Sequence, residues 1–423
     1  METAPTQDPF RIDELRIGLA RKANLAALRA TQLALQHVQC LGPDVALEHD
    51  VAVLAQMLEM FALLRAQLGH ERHSLVAVAK AKLAHPAVHD SSAAEPKHAI
   101  IPEGSEHETV AVRVSLIMHK IAFVVPTKDR ADDLRSLLAS ISAQTRKPDQ
   151  LIVVDGSDPD VRQVVDEFPA LHTDYVRVFP PSLSQQRNAG MQRLRPEITL
   201  AGYLDDDIVV EPDAIAKMLA YWESAPSDIG GAAFNIVNAP KAERWLKVKQ
   251  ALWIDSPRPG RMLPSGFAST LGFQAANIES DFLYGGASIW RREVIKKYRY
   301  DEWFTGTGLW EDVDYSYTVR ESYRLVLVAD ARLSHFSPPV RPDREFLLGT
   351  WQVVNRMYFV RKHRQRGLSV FAGWIASFGI AMLNLASAIR GGRKNYWLRA
   401  RGNLAGILAE LAGRRDRIGG HLK

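Results

Sequence analysis

Cysteine is almost missing: Cys40 stands alone in 423 residues. Neither a disulfide framework nor a thiolate zinc site can be built from one cysteine, and its scarcity fits a reducing compartment. No apolar core follows a basic start in METAPTQDPFRIDEL, so no secretory signal is expected. No GxxxxGK[ST] occurs and no GxGxxG follows the first expected strand, which disfavours a P-loop NTPase and a Rossmann dinucleotide fold.

What is present is ordinary in amount and uneven in placement. Apolar residues are 47% and charged residues 24%, which excludes a mostly disordered, collagen-like or polytopic membrane chain. The net charge of +5 conceals a split: residues 361–423 carry thirteen Lys/Arg against Glu410 and Asp416, leaving −6 for the rest. A basic tail suggests an anionic partner, a membrane surface or a nucleic acid, or else a solvated charged face.

The length fits two or three domains. Leu47, Val51, Leu54, Leu58, Phe61, Leu64 and Leu68 recur in steps of three and four, the period of a helix with one buried stripe. Gly42-Pro43 separates it from an earlier helix, and Asp44 is a fitting N-cap. Residues 1–84 therefore read as a helical hairpin domain, either a packed accessory unit or an interface for a homo-oligomer. Residues 85–116 read as a linker, opening on a stretch rich in Pro, Ser, Glu and His without apolar period.

From 117 to 345 short β-rich runs alternate with helical stretches. The runs are 121–125, 151–154, 175–179, 199–204, 230–237, 283–290 and 325–329, with helices over 131–144 and 212–222. That alternation predicts an α/β domain with a largely parallel sheet, whose ligands bind beyond the C-terminal strand ends. Polar groups gather there: Thr127 and Arg130 after the first run, Asp155 after the second, Asp205-Asp206-Asp207 after the fourth. Two carboxylates about 4 Å apart repel by roughly 4 kcal/mol at an effective dielectric near 20. A hard divalent cation is the natural compensator, and an acidic turn ahead of a helix is the plainer reading.

The pieces VVPTKDR (124–130), LIVVDGSD (151–158), QQRNAG (185–190), YLDDDI (203–208), LYGGASIWRREV (283–294), YDEWF (300–304), LWEDVDYSYTVR (309–320) and LSHFS (333–337) occur in one order over some 220 residues. Together they resemble a family 2 glycosyltransferase of the GT-A fold, most like its galactofuranosyl- and rhamnosyl-transferase branches. The resemblance implies an inverting transfer from a nucleotide-diphosphate sugar, UDP- or dTDP-linked, to a glycan or lipid-linked acceptor. It implies Asp205, Asp207 and His335 as ligands of Mn²⁺ or Mg²⁺, Asp312 as general base, and Glu311 as a group orienting the acceptor or the neighbouring loop. Thr127, Arg130, Asp155, Arg187, Asn188 and Asp206 would contact the nucleotide. Gly285, Gly286, Trp303 and Trp310 would line the acceptor or sugar side. The QxxRW of processive synthases is absent, since Gln352 is followed by Val-Val-Asn-Arg, so non-processive transfer is expected.

Residues 346–423 read as a basic, apolar helical tail. Positions 368–389 carry no charge, and as a helix they would measure about 33 Å against a bilayer core of about 30 Å. Basic residues flank both ends, which favours a shallow or re-entrant helix on the cytoplasmic face of the inner membrane over a simple span. The tail's aromatics do not alternate with its basic residues, which disfavours nucleic acid. Two other functions stay open: transfer to polyprenyl phosphate, and a non-catalytic scaffold of transferase fold.

Overall fold

The computed structural model describes residues 118–239, 245–306, 308–337, 340–391 and 394–413. The expected hairpin over 1–84 and linker over 85–116 lie outside the described residues.

One nine-stranded sheet organises the domain. Its strands are β1 (Ile121–Thr127), β2 (Gln150–Asp155), β3 (Asp174–Arg177), β4 (Leu200–Leu204), β5 (Ile208–Val210), β6 (Ile229–Ile236), β7 (Ile278–Ser280), β8 (Ala287–Arg291) and β9 (Arg324–His335). The order is β3-β2-β1-β4-β8-β6-β9-β5, with β7 beside β9. β1, β2, β4 and β6 are buried along their whole length. That burial explains why they read as continuous apolar runs without alternation. α1 (Ala131–Ser142) covers one face and buries Leu134, Leu137, Leu138 and Ile141, the stripe its helical period predicts. α3 (Leu183–Met191) lies against β1 and β2, after the short α2 (Arg162–Asp166).

The largely parallel sheet expected from the sequence holds for β3, β2, β1 and β4, and again for the β6–β9 pair. β8 runs antiparallel to both β4 and β6. The chain reaches it through α4 (Ala214–Ser224), β6, α5 (Leu246–Ala251) and β7, and enters between β4 and β6 from the opposite end of the sheet. The reversal sets Ala287 opposite Leu204, so Gly286 meets the first residue beyond β4, and its carbonyl accepts the Asp205 N–H at 3.0 Å.

β9 is longer than its sequence run. Leu325–Val328 pairs with β6, an irregularity follows, and its last residues pair antiparallel with β5 in the register Ile208↔His335. His335 thus arrives beside the acid triplet. After α6 (Arg292–Lys297) and α7 (Glu311–Val319), the chain ends in α8 (Pro342–Lys362), α9 (Val370–Gly391) and α10 (Lys394–Leu411). α8 and α10 pack through glycine: a Cβ at Gly349 would overlap the Arg399 carbonyl, and one at Gly402 the Phe346 carbonyl. Arg361–Glu410 and Arg399–Glu345 ion pairs join the same two helices.

Candidate active site

The acid triplet leaves β4 as a turn before β5, and its three members face different neighbours. Asp206 is enclosed: Thr127 donates to Oδ2 at 2.7 Å and Arg130 to Oδ1 at 3.0 Å. Burial pushes its carboxyl up to about 7 against those two partners. Arg130 also reaches Asp207 Oδ2 at 2.9 Å, so this arginine stitches two of the three acids.

Asp205, Asp207 and His335 each offer an atom within 4.8 Å of the others. His335 Nε2 lies 2.8 Å from Asp207 Oδ1, yet no donor among the described residues is aligned on that buried oxygen. An orphaned carboxylate oxygen facing an imidazole nitrogen and a second carboxylate fits a divalent cation. Burial would lower the His335 pKa, but the adjacent Asp207 and then Asp205 outweigh it and raise it.

The second acidic group opens α7. Trp310 caps this helix in the left-handed region at φ 80°, and Glu311 and Asp312 form its first turn. Asp312 accepts N–H bonds from Gly285 at 3.1 Å and Val313 at 2.8 Å. Burial pushes Asp312 upward, while Arg187 and those two N–H groups hold it back. A carboxylate raised in this way is suited to receive a proton.

Arg187 joins the two acidic groups. Its side chain is 1% exposed, Nη2 lies 2.9 Å from Asp205 Oδ1, and Nη1 binds Glu311 Oε1. Tyr203 and Tyr300 flank the guanidinium at 5.6 and 5.3 Å from their ring centroids. The glycine pair packs against the same cluster. A Cβ on Gly285 would overlap Arg187 and Asp312, and one on Gly286 would fall inside the Asp205 carboxyl. These glycines make room for the protein's own acids.

Several other residues expected at the donor or acceptor have partners within the protein. Arg187 does not face solvent with a free fork for a diphosphate, because both its terminal nitrogens hold carboxylates. Asp155 is fully buried and accepts from Ser157 N, Val161 N and the Tyr175 hydroxyl, so it shapes the loop after β2. Asn188 donates to the Tyr300 carbonyl and Glu302 and accepts the Tyr300 N–H, so it pins the 300–302 loop. Asp206 is held between Thr127 and Arg130. Glu311 is buried against Arg187 with Oε2 unpartnered, so it braces the arginine. Trp303 stacks on Tyr358 at 3.8 Å, which takes one of its faces. Trp310 donates to the Gly266 carbonyl at 2.9 Å and meets Phe267 edge-on.

Residues absent from the sequence reading support this frame. Gln186 bridges the carbonyls of Thr127 and Val154 at 2.9 and 2.8 Å, locking the ends of β1 and β2. Its signal was a helix whose buried residues are mostly polar. Asp314 is buried against His363 at 2.8 Å and Lys362 at 2.7 Å, fastening α7 to the end of α8. Asn355 donates to the Leu309 carbonyl at 2.8 Å, so α8 also holds the loop before Glu311.

No curated protein matches the chain by sequence. Among solved structures it is similar to TarS from S. aureus, at 14% identity and a TM-score of 0.37, covering 67% of this chain. The chain spans 55% of the length of that protein. It is also similar to TarS 1-349 in complex with UDP-GlcNAc, at 14% identity and TM-score 0.37, covering 72% of this chain and 93% of that one. A third is the mannosyltransferase PcManGT from Pyrobaculum calidifontis in complex with GDP-Man and Mn²⁺, at 14% identity and TM-score 0.42, covering 71% and 84%. Residues 122–299, less than half of the chain, match the family model of glycosyl transferase family 2.

Proposed function

We propose that this protein is an inverting, metal-dependent, non-processive glycosyltransferase. It would move a sugar from a UDP- or dTDP-type donor to a glycan or lipid-linked acceptor. The observation that carries the reading is the Asp205–Arg187–Glu311 linkage, which fixes the acid triplet of β4 and the Glu311-Asp312 pair of α7 at one centre. Within the matched family, the LDDDI, WEDVDY and SH pieces favour the galactofuranosyl- and rhamnosyl-transferase-like branch.

Asp205, Asp207 and His335 are the residues that would hold Mn²⁺ or Mg²⁺. When bound, the cation supplies positive charge against the leaving nucleoside diphosphate. Asp312 takes the proton of the acceptor hydroxyl. The acceptor oxygen then forms its bond to the anomeric carbon as the bond from that carbon to the diphosphate breaks, and single displacement inverts the centre. Gly285 and Val313 N–H groups fix the orientation of Asp312. Arg187 keeps Asp205 and Glu311 in place and lowers the repulsion among the three acids around it.

The test is transfer or donor hydrolysis measured over a panel of nucleotide sugars, with Mn²⁺ and with chelator. Asp312→Asn should fold normally, keep nucleotide-dependent thermal stabilisation, and lose about 10²–10⁴-fold in turnover. Full activity in Asp312→Asn, or no nucleotide-induced shift in the wild type at any metal concentration, would refute the reading.

A further inference from the structure

α8 lays one face against the segment that leads into α7. Trp351, Asn355, Tyr358 and Lys362 recur in steps of four, three and four, so they share a side of the helix. A Cβ at Gly306 would rest 3.6 Å from the Trp351 ring, and Asn355 holds the Leu309 carbonyl. Tyr358 stacks on Trp303 and donates its hydroxyl to Asp301 Oδ2 at 2.9 Å. Lys362 closes the row. Its ammonium bonds two acids at once, Asp301 Oδ2 at 2.7 Å and Asp314 Oδ2 at 2.7 Å.

These two acids belong to different pieces of the site. Asp301 Oδ1 accepts the Trp303 N–H at 3.0 Å, so this carboxylate shapes the loop that carries Trp303. Burial would push Asp301 up, but Lys362, the Trp303 N–H and Tyr358 outweigh it and lower its pKa, so the group is ionised. Asp314 is buried on α7, two residues beyond Asp312, and its Oδ1 faces His363 Nε2 at 2.8 Å. Both oxygens on Lys362 lie 2.7 Å from the same nitrogen, so they stand within 5.4 Å of each other. Without the ammonium, two like charges would repel across that gap, one of them buried. Asp301 would carry the Trp303 loop one way, and Asp314 would tilt α7, and Asp312 with it, the other way.

From this arrangement we infer that Lys362 is a positioning residue for the transfer step: it holds α7 and the Trp303 loop at one separation and so fixes where Asp312 stands. The inference rests on the reading of Asp312 as general base. Lys362 acts through Asp314 and Asp301, and neither acid is bonded to Asp205, Asp207 or His335. Its effect is therefore separable from the cation site.

The full-length protein is tested on hydrolysis of the UDP- or dTDP-sugar that the wild type turns over, with water in place of the acceptor. Lys362→Met should lower kcat by about tenfold or more, through a misplaced base. Donor KM and the Mn²⁺ dissociation constant should stay within about twofold of wild type. Lys362→Arg should restore most of the rate. Adding Asp301→Asn to Lys362→Met removes one of the two repelling charges, so the double variant should be faster than Lys362→Met alone, a non-additive result. That double variant also keeps the test open if Lys362→Met does not fold, since it should fold and differ from wild type in kcat and not in donor KM. Hydrogen exchange on the ligand-free protein is the second readout. Lys362→Met should speed exchange about tenfold in both 301–304 and 313–319, whereas Tyr358→Phe should do so in 301–304 alone. A wild-type kcat in Lys362→Met, an equal loss in kcat and Mn²⁺ affinity, or a further loss on adding Asp301→Asn would overturn the inference. So would unchanged exchange in α7. Hydrolysis by the wild type and its loss in Asp312→Asn are read first and decide the catalytic reading by themselves. Exchange needs no substrate, so the clamp is decided whichever way that result falls.

Discussion

Gly286→Ala tests the geometry of the acid centre with the smallest available change. The added Cβ would lie 1.9 Å from Asp205 Cγ. An ordinary carbon contact is about 3.5 Å, so the carboxyl must retreat by about 1.5 Å. The backbone at Gly286 has little freedom to yield, because its carbonyl accepts the Asp205 N–H and Ala287 is already in register with Leu204. The strain therefore falls on the Asp205 side chain, which would swing away from Asp207 and His335 and drag on Arg187. A misplacement near 1 Å at a reacting centre can cost about 10²-fold in rate. We expect turnover to fall by about that factor, Mn²⁺ affinity to fall with it, and stability to drop by about 1–3 kcal/mol from overpacking. The assays are steady-state donor turnover, calorimetric titration of Mn²⁺, and urea unfolding. If both turnover and Mn²⁺ affinity stay at wild-type level while the protein remains folded, Asp205 is not part of the centre and the assignment fails.

Arg187→Met leaves buried Glu311 and partly exposed Asp205 without their shared cation and should cost about 3–5 kcal/mol in urea unfolding; Arg187→Lys should recover part of that stability but less of the turnover, since one ammonium cannot hold both carboxylates in the same fork. The His335 pKa is raised above 6.5, so its pairing with Asp207 stabilises the metal-free fold below that value and is lost as pH rises through the folded value. In chelator, His335→Ala should therefore cost more stability at about pH 6 than at about pH 8, while Mn²⁺ affinity of the wild type should rise over the same interval as the imidazole loses its proton; a flat profile in both measurements would count against this pairing. Gly402→Ala would press a methyl into the Phe346 carbonyl, and should lower the unfolding free energy by about 1–3 kcal/mol or more, with a parallel loss in calorimetric Tm.

The local half of the fold was readable from the chain. Runs such as IAFVV and LIVV announce buried strands by composition alone, and α1 announces itself by period. The direction of β8 was not readable, because it depends on how the chain returns from a long excursion after β6. β5 and β7 have three residues each, too few to register as periodic. In the site, residue types pointed to acids at strand ends, but their partners could not be inferred. Arg187 looks like a phosphate ligand in QQRNAG, and its role changes only because Glu311 folds back onto it from far along the chain. Asp155 looks like an open strand-end acid until Tyr175, Ser157 and Val161 close over it. Asp205, Asp207 and His335 could be grouped from the sequence only by resemblance, since no spacing rule links a turn after β4 to the end of β9.

The kink in β9 acts as a spacer. Phe234 and Asn235 are consecutive on β6, yet they pair with Val328 and Arg332, so residues 329–331 are surplus. Asn235 stitches this slack by donating to the Ala329 carbonyl at 2.8 Å. Removing one of the surplus residues would turn His335 to the opposite face of the sheet, and removing two would draw it back by about 7 Å. The reach of the imidazole is thus metered by a residue count well away from the acids, and a length change there would disarm the centre while leaving every one of its side chains intact.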